Sequence, residues 1–242
     1  MSKDKVFDEK IIKPSDFQFS ATVANVFDDM VNRSVPFYGE IQRMVAELAA
    51  TYAAAESNVY DLGCSTGTTM IGMNTMIPEE INFIGVDDSP QMLDKCHIKL
   101  NEHGFKRKFD LVNNDLNTGV VIENASVVVS CLTMQFVRPI HREKLVRSVF
   151  NGLNSGGAFI LAEKILAEEN CFTRDFIKYY YDMKRRNHYS EMEIAQKREA
   201  LENVLIPYKL SENILLLREC GFSFTEVFFK WYNFAGFIGI KK

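Results

Sequence analysis

No two of the five cysteines in this 242-residue chain stand as a C-x-x-C pair; Cys64, Cys96, Cys131, Cys171 and Cys220 are scattered and odd in number. That spacing argues against a zinc site and against a disulfide framework, and it fits a reducing compartment. No apolar run reaches the roughly 20 residues that a membrane-spanning helix needs. The opening stretch, "MSKDKVFDEKIIKPSDF", is charged and has no signal-peptide apolar core, so a cytoplasmic protein is expected. Basic residues are not in excess either: 28 Lys and Arg stand against 32 Asp and Glu, for a formal net charge of −4. A protein that grips nucleic acid by its phosphates clusters Lys and Arg. Small-molecule chemistry is therefore expected, with no metal, no direct nucleic-acid binding and no membrane partner. No internal repeat or low-complexity linker divides the chain, and its length suits one α/β domain spanning residues 1–242.

What is present is a rhythm. Short β-like runs ("NVYDLG", "INFIGVD", "FDLVNND", "ASVVVSC" and "AFILAEK") alternate with helical segments such as "PQMLDKCHIKLNEHG" and "REKLVRSVFNGL". Alternation of this kind predicts a parallel sheet with helices on both faces. Two helices precede it: an amphipathic one in "FSATVANVFDDMVNRSVPFY", ending at the turn around Pro36, and a longer one in "GEIQRMVAELAATYAAA". After "AFILAEK" the alternation gives way to a mostly helical stretch, and the chain closes on a pair of aromatic-rich strands, "FSFTEVFFKWYNFAGFIGIKK". The pattern resembles the seven-stranded, mostly parallel Rossmann-like fold of S-adenosyl-L-methionine-dependent methyltransferases. In that reading residues 1–40 form an N-terminal lid, and residues 165–210 are a helical insertion before the last two strands.

"DLGCSTG", Asp61 to Gly67, can be read in two ways. As G-x-S-x-G it matches a serine-hydrolase nucleophile elbow. That elbow needs oxyanion donors from an earlier loop, and it follows several strands, whereas this one ends the first strand without an H-G-G-G-like segment before it. No G-K-[ST] follows, so a Walker loop is disfavoured, and the G-x-G-x-x-G spacing of a dinucleotide site is absent. As a cofactor cradle the loop makes a further demand, an acid at the next strand end about 20 residues on, to hydrogen-bond ribose. Asp87 meets it, with Asp88 beside it, and Asp115 ends the third run. In this reading Ser65 lines a cradle and attacks nothing.

"NHYSEMEIAQKREALENVLIPY" opens with the capping box Ser190-x-x-Glu193 and stops before Pro207. At about 100° per residue, Ile194, Leu201, Val204 and Leu205 share one face, and Lys197 and Arg198 fall on that face too. A charge there either snorkels to solvent or meets an anion. In the second case a guanidinium can grip a carboxylate bidentately. "NRSVPFY", Asn32 to Tyr38, is a rigid turn that is either structural or a lid over the cofactor.

Taken in order, "FDDMVNRSVPFY", "VYDLGCSTG", "DDSPQM", "IENASVVV", "LTMQF", "GLNSGG", "LAEK", "YSEMEIAQKREALENVL" and "WYNFAGFIGIKK" resemble the carboxy-S-adenosyl-L-methionine synthase family. The resemblance covers most of the chain. It implies conversion of S-adenosyl-L-methionine and prephenate to carboxy-S-adenosyl-L-methionine and phenylpyruvate, the carboxyl group passing to the deprotonated sulfonium methyl. It also implies that a separate enzyme uses the product for 5-oxyacetic acid modification of wobble uridine in tRNA. By the same resemblance Tyr38, Gly63, Cys64, Ser65, Asp87, Asp88, Asp115, Leu116 and Cys131 bind the cofactor. Arg198 meets the new carboxylate as the catalytic residue and is supplied by the neighbouring subunit of a homodimer. Three positions depart from the family's pattern: Phe37 stands for a glycine, Cys131 for an asparagine and Asp88 for a common asparagine. An ordinary methyltransferase acting on a small molecule, or a cofactor-binding regulatory protein, would share the cradle.

Overall fold

The computed structural model describes residues 3–8 and 17–242. The first part of the expected lid, residues 1–2 and 9–16, lies outside the described residues. In chain order come α1 (Ala21–Ser34), α2 (Tyr38–Tyr52), β1 (Asn58–Leu62), α3 (Thr68–Asn74), β2 (Asn82–Asp87) and α4 (Pro90–Glu102). They are followed by β3 (Phe109–Asn113), β4 (Ala125–Cys131), α5 (Pro139–Gly152) and β5 (Leu153–Leu166). Last come α6 (Asn170–Arg186), α7 (Glu191–Leu201), β6 (Tyr208–Lys209), α8 (Leu210–Glu219), β7 (Phe224–Trp231) and β8 (Phe234–Ile240).

The sheet runs β3-β2-β1-β4-β5-β8-β7. Its first five strands are parallel, and β8 enters antiparallel between β5 and β7. The seven strands expected from the sequence form this path. The two-residue β6 is an addition that pairs with the end of β5, off the path.

Burial follows the strand period of two. Val127 and Val129 of β4 enter one core, with Ile41, Val45, Met70 and Met73 from α2 and α3. Val128 enters the other, with Leu145, Val146 and Val149 of α5 and Phe237 of β8. Because both faces of the sheet are covered, β4 is buried from Ala125 through Ser130 rather than at alternate positions. Each such side chain contributes about 1.5–3 kcal/mol by leaving water.

Helix starts follow local chemistry. At α4, Ser89 Oγ accepts the Met92 amide at 3.3 Å, and Pro90 occupies the first turn. At α7 the capping box is complete: Glu193 N donates to Ser190 Oγ at 3.2 Å, and Ser190 N donates to Glu193 Oε2 at 2.7 Å. The helix ends at Leu201, short of the Val204 and Leu205 that the spacing placed on it. Backbone groups just beyond are drawn off by other elements, Asn203 O by Arg138 and Ile206 N by Gln135 O.

Between α1 and α2 the chain turns through Phe37, which sits in the left-handed region at φ +51° and is 60% exposed. A bulky side chain in that region costs about 1–2 kcal/mol. Glycine avoids that strain at the cost of more unfolded-state entropy, about 0.4–1 kcal/mol. Phe37→Gly is therefore expected to raise the urea midpoint of unfolding by an amount equivalent to about 0.5–1 kcal/mol. Phe37→Ala, which keeps the strain, should leave it unchanged.

Candidate active site

The cleft opens at the carboxyl ends of the parallel strands, where β1 has β2 on one side and β4 on the other. Loops leaving β1 and β4 diverge there, the usual crevice of an open α/β sheet. Its floor is the turn Gly63-Cys64-Ser65. Gly63 has φ +77°, and a Cβ on it would lie 2.1 Å from Thr133 Oγ1, so only glycine lets this turn pass the loop after β4. Asp87 fixes the turn: its Oδ2 accepts the Ser65 amide at 2.9 Å, while Oδ1 accepts Ser89 N at 3.0 Å. Burial raises Asp87 to about 6 against the pull of those amides. Asp88 is the exposed neighbour, and it lines the cleft together with Asp115 and Leu116. The two acids differ in role: Asp87 holds the backbone of the turn, while Asp88 leaves its carboxylate exposed to the cleft.

Helix α1 closes over this floor. Asp28 on α1 accepts Thr66 Oγ1 at 2.7 Å and Lys99 Nζ at 2.7 Å, and Thr68 Oγ1 at 3.2 Å. At its end Arg33 donates to the carbonyls of Asn187 and His188, each at 2.9 Å, and lies 4.0 Å over the Tyr189 ring. The "NRSVPFY" turn is thus clasped by the α6–α7 connection, more than 150 residues away. Phe17, Phe19 and Phe27 add an aromatic wall, with Phe136 stacked edge-on to Phe19 at 5.3 Å.

Toward the other end of the cleft lie Tyr38, Cys131, Leu132 and Thr133. The loop after β4 is pinned by Glu163, whose carboxylate accepts the amides of Thr133, Met134 and Gln135 at 2.9–3.2 Å. Cys131 Sγ accepts Gln42 Nε2 at 3.4 Å, while Gln42 Oε1 is buried with no donor among the described residues. An asparagine amide at 131 could donate there; a thiol is a poor substitute.

Behind Tyr38 is Asp61, 1% exposed, with neither carboxylate oxygen meeting a donor among the described residues. Burial, then the charge of Asp87, raises it to about 7. A buried carboxylate without a donor is costly unless a cation comes to it. S-adenosyl-L-methionine carries such a cation in its ammonium and a second in its sulfonium, so an unpartnered Asp61 buried next to the Gly63 turn fits that cofactor.

The last wall of the cleft is basic. Lys164, Lys197, Ser34 and Tyr180 line it. Here the helical stretch decides between neighbours. Lys197 is 5% exposed and donates to Ser34 Oγ at 3.0 Å, whereas Arg198 is exposed and lies outside the cleft of its own chain. Every other residue expected to bind cofactor lines the cleft.

Residues 59–157 match a family model described as a methyltransferase domain. The carboxy-S-adenosyl-L-methionine synthase of Methylococcus capsulatus is 52% identical over 242 residues, covering 100% of both chains. The chain belongs to the carboxy-S-adenosyl-L-methionine synthase family. The synthase of Sulfurimonas denitrificans is 45% identical over 239 residues, 98% of this chain and 99% of that one. Among solved structures, an O-methyltransferase family protein of Burkholderia thailandensis has a TM-score of 0.64 over 93% of this chain and 61% of its own. At 17% identity that likeness is one of fold alone. Family membership makes the chain a transferase-type enzyme. No helix among the described residues is long and apolar enough to cross a membrane.

The residues expected to bind cofactor did not include Asp61, Lys164 or the aromatic wall. Asp61 was visible as the acid ending the first strand; Lys164 and the phenylalanines carry no local signal, since they reach the cleft only through the sheet order and the lid.

Asp61 makes stability depend on pH. Its pKa rises from 3.8 on folding, so its contribution is full below that value and is lost as pH climbs through about 7. Asp61→Asn is expected to stabilise the ligand-free protein at pH 8 by on the order of 2–4 kcal/mol. At pH 4 it should change little. Affinity for S-adenosylhomocysteine, which keeps the ammonium, should fall ten- to a hundredfold in calorimetry.

Proposed function

We propose that the chain converts S-adenosyl-L-methionine and prephenate to carboxy-S-adenosyl-L-methionine, phenylpyruvate and water. The product would then serve a separate cytosolic enzyme that builds 5-oxyacetic acid on wobble uridine of tRNA. The observation that carries this reading is the 52% identity, end to end, with a carboxy-S-adenosyl-L-methionine synthase. The cleft supports it through an acid placed for the cofactor's cationic end and a basic wall opposite.

When bound, S-adenosyl-L-methionine supplies a methyl carbon made acidic by its sulfonium. The chain's own residues do the rest. Asp88 and Asp115 orient the adenosyl part, and the Gly63–Ser65 turn approaches it with backbone. Asp61 takes the ammonium, and helix α1, held by Asp28 and Arg33, keeps water from the reacting carbon. The acid–base balance closes without a protein base: prephenate loses its ring carboxyl as carbon dioxide and its ring hydroxyl as hydroxide. The carbon dioxide becomes the new carboxyl, and the hydroxide takes the methyl proton as water. Arg198 reaches out of its own subunit to the new carboxylate of a neighbour, in a homodimer whose subunits each run from lid to last strand as one unit.

Two measurements test this reading. Incubation with S-adenosyl-L-methionine and prephenate should give carboxy-S-adenosyl-L-methionine and phenylpyruvate in equal amounts by mass spectrometry; S-adenosylhomocysteine instead would make the chain a methyltransferase. Arg198→Ala should fold normally, because the side chain is exposed. Its affinity for the carboxylated product should drop about 100-fold, the roughly 3 kcal/mol of a charge-assisted bidentate pair. Equal losses for that product and for S-adenosylhomocysteine would remove Arg198 from the carboxylate.

A further inference from the structure

Three lysines converge on two tyrosine rings at the basic end of the cleft. Lys164 Nζ lies 5.1 Å and Lys184 Nζ 4.9 Å from the centre of Tyr180. Lys184 Nζ and Lys197 Nζ lie 5.8 Å and 5.4 Å from the centre of Tyr189. They come from three separate elements, β5, α6 and α7. Lys184 and Lys197 are 4% and 5% exposed, and Lys164 is half-buried. None makes an ion pair among the described residues.

The acids nearest them are committed elsewhere. Asp4 accepts the Tyr189 hydroxyl at 2.6 Å and the Val6 amide at 3.1 Å. Asp29 accepts Arg33 and the Asp4 amide, and Glu193 closes the α7 capping box. Burial lowers all three lysines, Lys197 to about 8, and the charges of Lys197 and Lys164 push Lys184 down further. Ring faces compensate a buried ammonium only in part. A fold that needed only packing would place apolar side chains here at lower cost.

We propose that Lys164 and Lys197 of the same chain bind the carboxylates of a dianionic co-substrate, with Lys184 behind the two rings supplying positive field. The assignment rests on the synthase reading, in which the carboxyl donor is a dicarboxylate. It makes the donor a ligand of the chain that holds the cofactor, and leaves Arg198 of the neighbour to the product's new carboxylate. Acids gather at the cofactor's end of the cleft and lysines at the donor's, so each ligand meets the opposite charge.

The test uses Lys164→Met, Lys184→Met and Lys197→Met, with the exposed Lys178→Met as control. Each of the three should keep or raise the thermal midpoint, because an unpaired buried charge is removed. Affinity for S-adenosylhomocysteine should stay within about threefold. The KM for prephenate should rise at least 20-fold for Lys164→Met and Lys197→Met and about fivefold for Lys184→Met, with the control unchanged. Loss of S-adenosylhomocysteine affinity by the same factor would put the lysines on the cofactor's own carboxylate and overturn the proposal. So would an unaltered KM, or a lowered midpoint in all three. Calorimetric titration of prephenate and succinate into the S-adenosylhomocysteine-saturated protein separates this proposal from the synthase reading. Lysine-dependent binding without carboxylated product overturns only the reaction; carboxylated product made with unaltered KM by the lysine variants overturns only the subsite.

Discussion

A parallel sheet whose strand order reverses at β1 cannot close over its own carboxyl edge. The helix after β1 and the helix after β4 pack on opposite faces, and their leading loops part at the switch point. Everything that binds in this protein is built on that opening. Gly63 lets the first loop turn against Thr133, Asp87 ties it to the cap of α4, and Glu163 ties down the loop after β4. The two carboxylates serve the site by holding backbone, which spares flexible side chains the task of shaping it.

On that frame the charges are sorted by sign. Asp61, Asp87, Asp88 and Asp115 gather at the ends of β1, β2 and β3, and Lys164, Lys184 and Lys197 come from β5, α6 and α7. The sorting opposes stability, since acids crowd acids and lysines crowd lysines in a poorly solvated cleft, which is why Asp61 rises and Lys197 falls. Groups displaced in this way are typical of sites where ligands complete the charge balance. The cleft as folded is half of an electrostatic match.

Closure of the site joins parts of the chain that are distant in sequence. Helix α1 is fastened at its middle by Asp28 to Thr66, Thr68 and Lys99, and at its end by Arg33 to the α6–α7 connection. Each of these hydrogen bonds nets only about 1–3 kcal/mol, the upper end where a charge takes part. Together they set α1 as a roof and carry Ser34 to within 3.0 Å of Lys197. The Lys197–Ser34 part of the basic wall therefore depends on α1 and α7 being docked on each other.

The strands, their parallel order of appearance, the α7 capping box and the glycine turn after the first strand were legible in the sequence, because each depends on spacing within a dozen residues. The seven-strand path was implied by the fold resemblance rather than by local pattern, and the left-handed backbone at Phe37 emerged only in the structure. Asp61 was visible as a strand-end acid, but its isolation from every donor is a property of the packed core. Lys197 and Arg198 mark the boundary most clearly. Adjacent helical residues point about 100° apart, and that spacing alone leaves both on one broad face. Only the docking of α7 on α1 and α6 turns Lys197 toward Ser34 and Tyr189 and leaves Arg198 in solvent. The sequence by itself determined that a cofactor cradle follows the first strand. The tertiary structure decided which cation shares the cleft, because that choice rests on the rotation of one helix about its axis.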